Sequence, residues 1–498
     1  NLATAMANRS LVLLRLGRWG EALVAGDRAV AIRRDLAAEH PDAHWPELAG
    51  ALNTRSIALS ELDRRTDALA AAEEAVRIYR EVSDAHSDAV AADLATALST
   101  LAGALHSLGR PSEALAVAEE VVIRRRALEA RRPDAFRPAL AQGLSNLAVM
   151  LSEMGEMARA LTAAREAVEI HRHLAGADAD RTDPALGAAL TNLVGILAGL
   201  GRDDEALDAA REAVATYRRL AGVSLDVHGS DLAAALNNLA IMLSERDDPE
   251  AALAAVQEAV GLYDGMPRAR ARSARVDRAR ALGTVAATLL ELDRAPEALV
   301  PAREAVALLR ALARKHPGAF AADLATGLHM LAILLAARGR RGAALARERE
   351  AIALFRRLCE VHPDLFATEL AMTLSALSSR LSEVRRDEEA VAVAREAVER
   401  YRPLVAALPH AHRVGLAGAL NNLSLRLARL GSVAEALAAQ REAVGLYREE
   451  AAASASASRP RLAVALANLA LLLSAAGRND EARDAEREAA GLRGKSPA

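Results

Sequence analysis

The chain has 498 residues, 52% of them apolar, with 63 basic and 66 acidic side chains and a net charge of −3. That allows a large core and gives no electrostatic reason to seek nucleic acid or an anionic membrane. Its one cysteine, Cys359, excludes an intrachain disulfide, and the longest apolar runs are interrupted by charges short of the ~18 to 20 residues that span a bilayer. A soluble, cytoplasmic protein is expected; no signal peptide is visible, and a start at Asn1 instead of methionine fits a piece of a longer polypeptide.

One motif recurs every 46 residues from end to end. Alanine returns from Ala22 to Ala482 and leucine from Leu13 to Leu473, eleven times each and without insertion. The first copy opens on "SLVLLRLG", with Leu14 where other copies mostly carry serine or alanine, so its outer side is apolar. The sixth copy shows the unit clearly. Leu232, Leu236, Leu239 and Leu243 are spaced 4, 3 and 4, the stripe of an amphipathic helix A. That helix stops near "ERDDPE", where Asp248 suits an N-cap and Pro249 the first helical position. Helix B follows, with Ala252, Leu253, Ala259 and Val260 on its packing side.

Between copies lie polar stretches such as "HPDAHWPE" and "HPDLFATE", whose prolines end one helix and start the next. No segment alternates with the period of a strand. One hairpin cannot bury its own stripe, so the copies must stack into an all-α solenoid. Between copies six and seven, "GMPRARARSARVDRAR" holds six arginines from Arg268 to Arg280, and Arg278 takes the place of the helix-opening leucine. We read a seam there, a candidate hinge over residues 264–280 that divides 1–276 (copies one to six) from 277–498 (copies seven to eleven). The alternatives are a solvated loop that starts helix A late, or a phosphate or nucleic-acid contact. "AAASASAS" from Ala451 reads as an inter-repeat loop, and Arg483, Ala490 and the "GLRGKSPA" tail read as a polar C-terminal cap.

"NLAIMLSERDDPEAALAAVQEAV" resembles a tetratricopeptide repeat, with Leu239 and Ala240 as the paired helix A signature and Ala252 and Ala259 as the small residues where the helices approach. The resemblance covers all eleven copies and implies a right-handed superhelix and a non-enzymatic protein-binding scaffold. Two departures stand out: the repeat is longer than the family's usual unit, and arginine (Arg34, Arg80, Arg126, Arg172, Arg218, Arg310, Arg356, Arg402, Arg448) replaces the usual helix-ending proline. Helix B therefore runs long, as in the kinesin light chain type. Similar arrays accompany ATPase, protease or DNA-binding modules in bacterial signalling proteins, so a sensor arm behind an N-terminal module is one alternative. Self-assembly through the apolar first hairpin is another.

At 100° per residue, Asn237 and Asn238 lie on either side of the direction opposite the leucine stripe. Nine of the eleven asparagines fall on these two repeat positions: Asn8, Asn53, Asn146, Asn192, Asn237, Asn238, Asn421, Asn422 and Asn468. The resemblance puts that face on the concave wall. A row of side-chain amides can pair with the N–H and C=O of an extended peptide whatever its side chains. The alternative is that the amides bond between adjacent helices or to water and only order the array. Thr284, Met330 and Ala376 break the row, which favours copies four to six, with a lesser stretch in ten and eleven.

Val149, Ile241, Ile333, Leu425 and Leu471 offer aliphatic contacts beside the row, and Glu61, Glu153, Glu245, Glu291 and Glu383 a mild acidic line. A neutral to basic extended segment is the expected partner. Arg15, Arg280 and Arg429 are too scattered for a carboxylate clamp. No cofactor or metal is expected: His171 and His173 face different directions, "GADADRTDP" lacks the glycine and glutamate of a calcium loop, and "GLRGKS" lacks a phosphate loop's first glycine and strand. Cys359 reads as an inert thiol.

Overall fold

A leucine stripe of this kind is buried only if further helices lie along it. In the computed structural model, which describes residues 2–83, 88–176, 184–267, 271, 274–361, 363–453 and 455–493, they do. The described residues form twenty-two helices and no strand. They group into two compact units, Asn1–Asp247 and Asp248–Ala498.

Unit one holds α1 (Leu2–Arg15), α2 (Trp19–Glu39), α3 (Pro41–Glu61), α4 (Arg65–Ser83), α5 (Asp88–Ser107) and α6 (Pro111–Arg131). It continues with α7 (Pro133–Glu153), α8 (Met157–Gly176), α9 (Pro184–Gly199), α10 (Asp203–Val223) and α11 (Leu225–Glu245). Unit two holds α12 (Pro249–Asp264), α13 (Arg275–Glu291), α14 (Ala295–Ala313), α15 (Pro317–Ala337), α16 (Arg341–Val361) and α17 (Pro363–Glu383). It ends with α18 (Asp387–Ala407), α19 (Pro409–Arg429), α20 (Val433–Ala453), α21 (Ala455–Ala475) and α22 (Asn479–Arg493). Odd-numbered helices are A and even-numbered ones are B. Within each unit every helix packs on the next, and successive A helices also touch, as α3 on α5 and α19 on α21.

Every A-to-B turn has one left-handed residue at the same register. These are Gly17, Asp63, Gly109, Gly155, Gly201, Asp247, Asp293, Gly339, Arg385, Gly431 and Gly477, with φ from 56° to 78°. The bonds Gly17 N–H to Leu14 O (3.0 Å) and Arg18 N–H to Leu13 O (2.9 Å) show why: the reversal satisfies carbonyls that the helix end would otherwise leave bare. Asp248 caps α12 as expected, its carboxylate accepting from Ala251 N–H at 3.2 Å, with Pro249 next.

The recurring alanine explains itself by burial. Ala22, Ala68, Ala160, Ala344 and Ala436 are 0% exposed, so a larger side chain there would force the hairpin apart. Ser10, Ser56 and Ser378 stitch A to B by donating to the carbonyls of Ala22, Ala68 and Ala390 at 2.7, 2.7 and 3.0 Å.

The connections between copies differ from expectation. His40 alone separates α2 from α3, and "HPDAHWPE" and "HPDLFATE" are mostly helix, with Pro41 and Pro363 at helix starts. Proline at a first helical position forfeits only an N–H that has no helical partner, so the polar stretch lengthens helix A instead of looping out. The chain around "AAASASAS" is likewise helical on both sides of residue 454, which lies outside the described residues, as do residues 177–183 of "GADADRTDP" and the tail from residue 494.

The arginines that replace the family's proline have a role. Arg34, Arg80, Arg126 and Arg172 in unit one reach Glu74, Glu120, Glu166 and Glu212 of the next B helix at 2.5 to 2.8 Å. Arg310, Arg356, Arg402 and Arg448 in unit two do the same with Glu350, Glu396, Glu442 and Glu488 at 2.6 to 2.8 Å. These rungs tie successive B helices together at the surface and keep copies in register.

Charges interrupt the apolar runs as the sequence reading has it, Asp93 in α5 and Asp323 in α15. The helices α5 and α15 are long and apolar enough to cross a membrane by length and composition. Both instead serve as A helices, with Leu94, Leu98, Leu324 and Leu328 buried in the stack.

Candidate functional site

Touching A helices form one wall in each unit, and the asparagines sit on it in two rows that behave differently. The leading row contains Asn53, Asn237 and Asn421; the trailing row, one residue on, contains Asn8, Asn146, Asn192, Asn238, Asn422 and Asn468. Leading side chains turn into the stack. Asn421 Oδ1 accepts from Gln440 Nε2 of helix B at 3.0 Å and from Asn468 Nδ2 of the next A helix at 2.9 Å. Gln440, 0% exposed, also donates to Ala465 O at 2.8 Å and accepts from the Ser424 hydroxyl. Asn53 and Asn237 bury their Oδ1 atoms without a hydrogen-bond partner.

Helix B decides the difference. In copy ten it carries Gln440, to which Asn421 bonds; in copy two it carries Ala72 beside Asn53 and offers nothing. Copy eight repeats the pairing with different chemistry, His329 Nδ1 lying 2.6 Å from Oε1 of the fully buried Glu348.

Trailing side chains vary in exposure. Asn146 is exposed and its Oδ1 accepts from Gln142 Nε2 at 3.0 Å. Asn192, Asn238 and Asn422 are half-buried, and their amides make no hydrogen bond among the described residues. The structure thus brings Asn421 and Asn468 into contact and leaves Asn192 and Asn238 free to bond elsewhere.

Around the rows, Val149, Ile333 and Leu425 are half-buried, while Ile241 and Leu471 are exposed. The acids differ in commitment. Glu153 lies 3.3 Å from His106 Nδ1, and Glu383 accepts from Arg380 at 3.1 Å. Glu245 is pushed above the ordinary carboxylate range by burial and by the nearby charge of Asp203. Arg280 is held by Asp323 at 2.8 Å, and Arg429 donates to the Ser382 hydroxyl at 2.5 Å and pairs with Asp387 at 3.2 Å, so neither is offered to a ligand.

Arg278 of the seam is similarly occupied. It bridges Asp264 of α12 at 2.7 Å and Glu304 of α14 at 2.8 Å, a brace where other copies have leucine. The helix α13 starts at Arg275, late in the register, and residues 268–270 and 272–273 lie outside the described residues.

The wall of unit one also has a cavity of about 280 Å³ between α5 and α7, lined by Ser99, Gly103, His106, Gly143, Asn146 and Val149 among others. Sequence reading placed Asn146 but missed the cavity. Its signals were there: Gly103 at a mostly aliphatic position, and Arg125 at the repeat position that in five other copies holds Tyr79, Tyr217, Tyr263, Tyr401 and Tyr447. Those tyrosines are buried, which pushes Tyr217 and Tyr401 up to about 12. Among the described residues no group of three or more His, Cys, Asp or Glu side chains could hold a metal. Burial pushes the half-buried Cys359 thiol up, away from the reactive thiolate.

The tetratricopeptide repeat family model matches residues 2–42, 48–88, 94–134, 140–179, 186–228, 232–263, 324–364, 370–404, 416–451 and 462–495. The chain belongs to the tetratricopeptide-repeat family. The stretch of this array between 263 and 324 goes unmatched, and it contains the Arg278 brace.

Among solved structures, the tetratricopeptide chain is similar to apo RapI (10% identity, TM-score 0.53, covering 80% of this chain and 96% of that one). It is similar to a Rap protein complexed with competence and sporulation factor (11% identity, TM-score 0.50, covering 81% and 98%). BtubC (BKLC) from P. vanneervenii aligns at 20% identity over 48% of this chain and 89% of that one, with a TM-score of 0.41. At these identities the likeness is one of fold. No curated protein matches the chain.

Proposed function

We propose that this array is a non-catalytic scaffold that holds an extended, neutral to basic peptide segment along the A-helix wall of unit one, through the trailing asparagines of copies four to six. The observation that carries the reading is the contrast between copies five and six and copies ten and eleven. Among the described residues Asn192 and Asn238 make no side-chain hydrogen bond at a half-buried wall, whereas Asn468 donates to Asn421 Oδ1, which also accepts from Gln440. An amide held there pairs with a peptide backbone at little entropic cost, because its helix already fixes it. Glu61 and Glu245 favour a basic side chain alongside. The Rap protein solved with competence and sporulation factor supplies a fold-level parallel.

Changing Asn192 and Asn238 together to alanine tests this. We expect retention of displayed random peptides to fall with melting unchanged; lost melting with retention intact contradicts it.

A second reading rests on the first hairpin. Val12 is 54% exposed, whereas its register equivalents Ala58, Ala104, Met242 and Leu334 are at most 5% exposed. With Leu2 also exposed, this side would take a further hairpin, from a signalling module in the same polypeptide or from a second copy. Concentration-dependent light scattering separates the two.

A further inference from the structure

Copies three and four have a hole where copies ten and eleven have a network. Seven copies before Gln440, Asn421, Leu425 and Ala465 stand Ala118, Ser99, Gly103 and Gly143, each smaller. The volume they give up is the cavity of about 280 Å³ between α5 and α7, enough for one side chain. Seven copies before Tyr447 stands Arg125.

Arg125 is only 7% exposed. Its Nη1 donates to Ala139 O at 2.7 Å and its Nη2 to Ser99 Oγ at 3.0 Å, and no carboxylate pairs with it among the described residues. A Cβ built on Gly143 would come within 3.1 Å of Nη1, so the guanidinium lies directly behind the cavity wall. Burial without a counter-charge holds its pKa below the ordinary arginine value. At the mouth, Asn146 turns its Oδ1 to Gln142 and keeps its N–H groups as donors, while Glu153 lies against His106.

We propose that this cavity takes an aspartate or glutamate side chain from the extended segment, with Asn146 donating to its carboxylate and Arg125 supplying the counter-charge. This rests on the wall reading above and names the side chain that fixes the segment's register. A lysine would set like charges together in a poorly solvated site, and an aliphatic side chain would leave Arg125 unbalanced and the Asn146 donors unpaired. The segment as a whole stays neutral to basic, facing Glu61 and Glu245.

The test is selection of a displayed library of random dodecapeptides on the full chain. Selected peptides are then titrated by fluorescence anisotropy against Ala118→Gln, Arg125→Tyr and the Asn192→Ala/Asn238→Ala pair. Both cavity substitutions use side chains that the array already carries at those registers. We expect one acidic position to be enriched, and affinity to fall roughly tenfold or more in Ala118→Gln, in Arg125→Tyr and when that peptide residue is changed to its amide. Peptides that need Asn192 and Asn238 yet show no acidic position, or bind both cavity variants undiminished, overturn the cavity assignment alone. The peptide-side amide change reads the same interaction if a variant fails to fold. Retention of no peptide, or indifference to Asn192 and Asn238, overturns the wall reading and the cavity with it.

Discussion

Copies three and four and copies ten and eleven present the same register of one repeat, yet one is open and the other closed. In the later pair Gln440 fills the space behind the wall and satisfies Asn421, Ser424 and the carbonyl of Ala465. In the earlier pair Ala118 leaves that space empty, and Arg125 stands behind it without an acid. The lesson is that one B-helix position decides whether the wall spends its polar groups internally or keeps them for a partner.

Gln440→Ala should convert copies ten and eleven toward the open state, at a cost of about 2 to 3 kcal/mol, because a fully buried, fully bonded side chain is lost and its partners go unsatisfied. Hydrogen exchange should then rise in α19 to α22 and stay unchanged in unit one. A loss below ~0.5 kcal/mol would mean that the network orders nothing. Loss of a single surface rung has a smaller effect. Arg126→Ala and Arg448→Ala each remove one rung, Glu166 or Glu488 losing its partner at about half exposure in both. Each should cost about 0.2 to 1 kcal/mol, alike in the open and closed regions, by urea unfolding. Unequal costs would show that the rungs, and not the B-helix residue, set the difference.

The repeat was legible because its period never slips, so Ala22 through Ala482 and the Asp248 cap fall where the sequence puts them. The connections were less so. A run such as "HPDAHWPE" has loop composition, but its prolines occupy first-turn positions that a helix tolerates, and a single residue, His40, suffices to turn the chain. On a helical wheel Asn237 and Asn238 look equivalent, since each flanks the direction away from the leucines. What separates the rows is the neighbouring helix over each side, and a wheel contains no neighbour. The polar residues Glu348 and Gln440, opposite His329 and Asn421, were the trace of that neighbour in the sequence. Arg125 among tyrosines was a further trace, visible only once its position is known to lie behind the wall.

On the function proposed here, a bound segment lies on the open wall of unit one and not on the closed one. A photo-crosslinking benzoylphenylalanine placed at Val149, or at the register-equivalent Leu471, tests it with peptides selected on the unsubstituted chain. The expected result is a crosslinked peptide from position 149 and none from 471, although Leu471 is the more exposed at 68%. Equal crosslinking at both positions, or crosslinking at 471 alone, would contradict it.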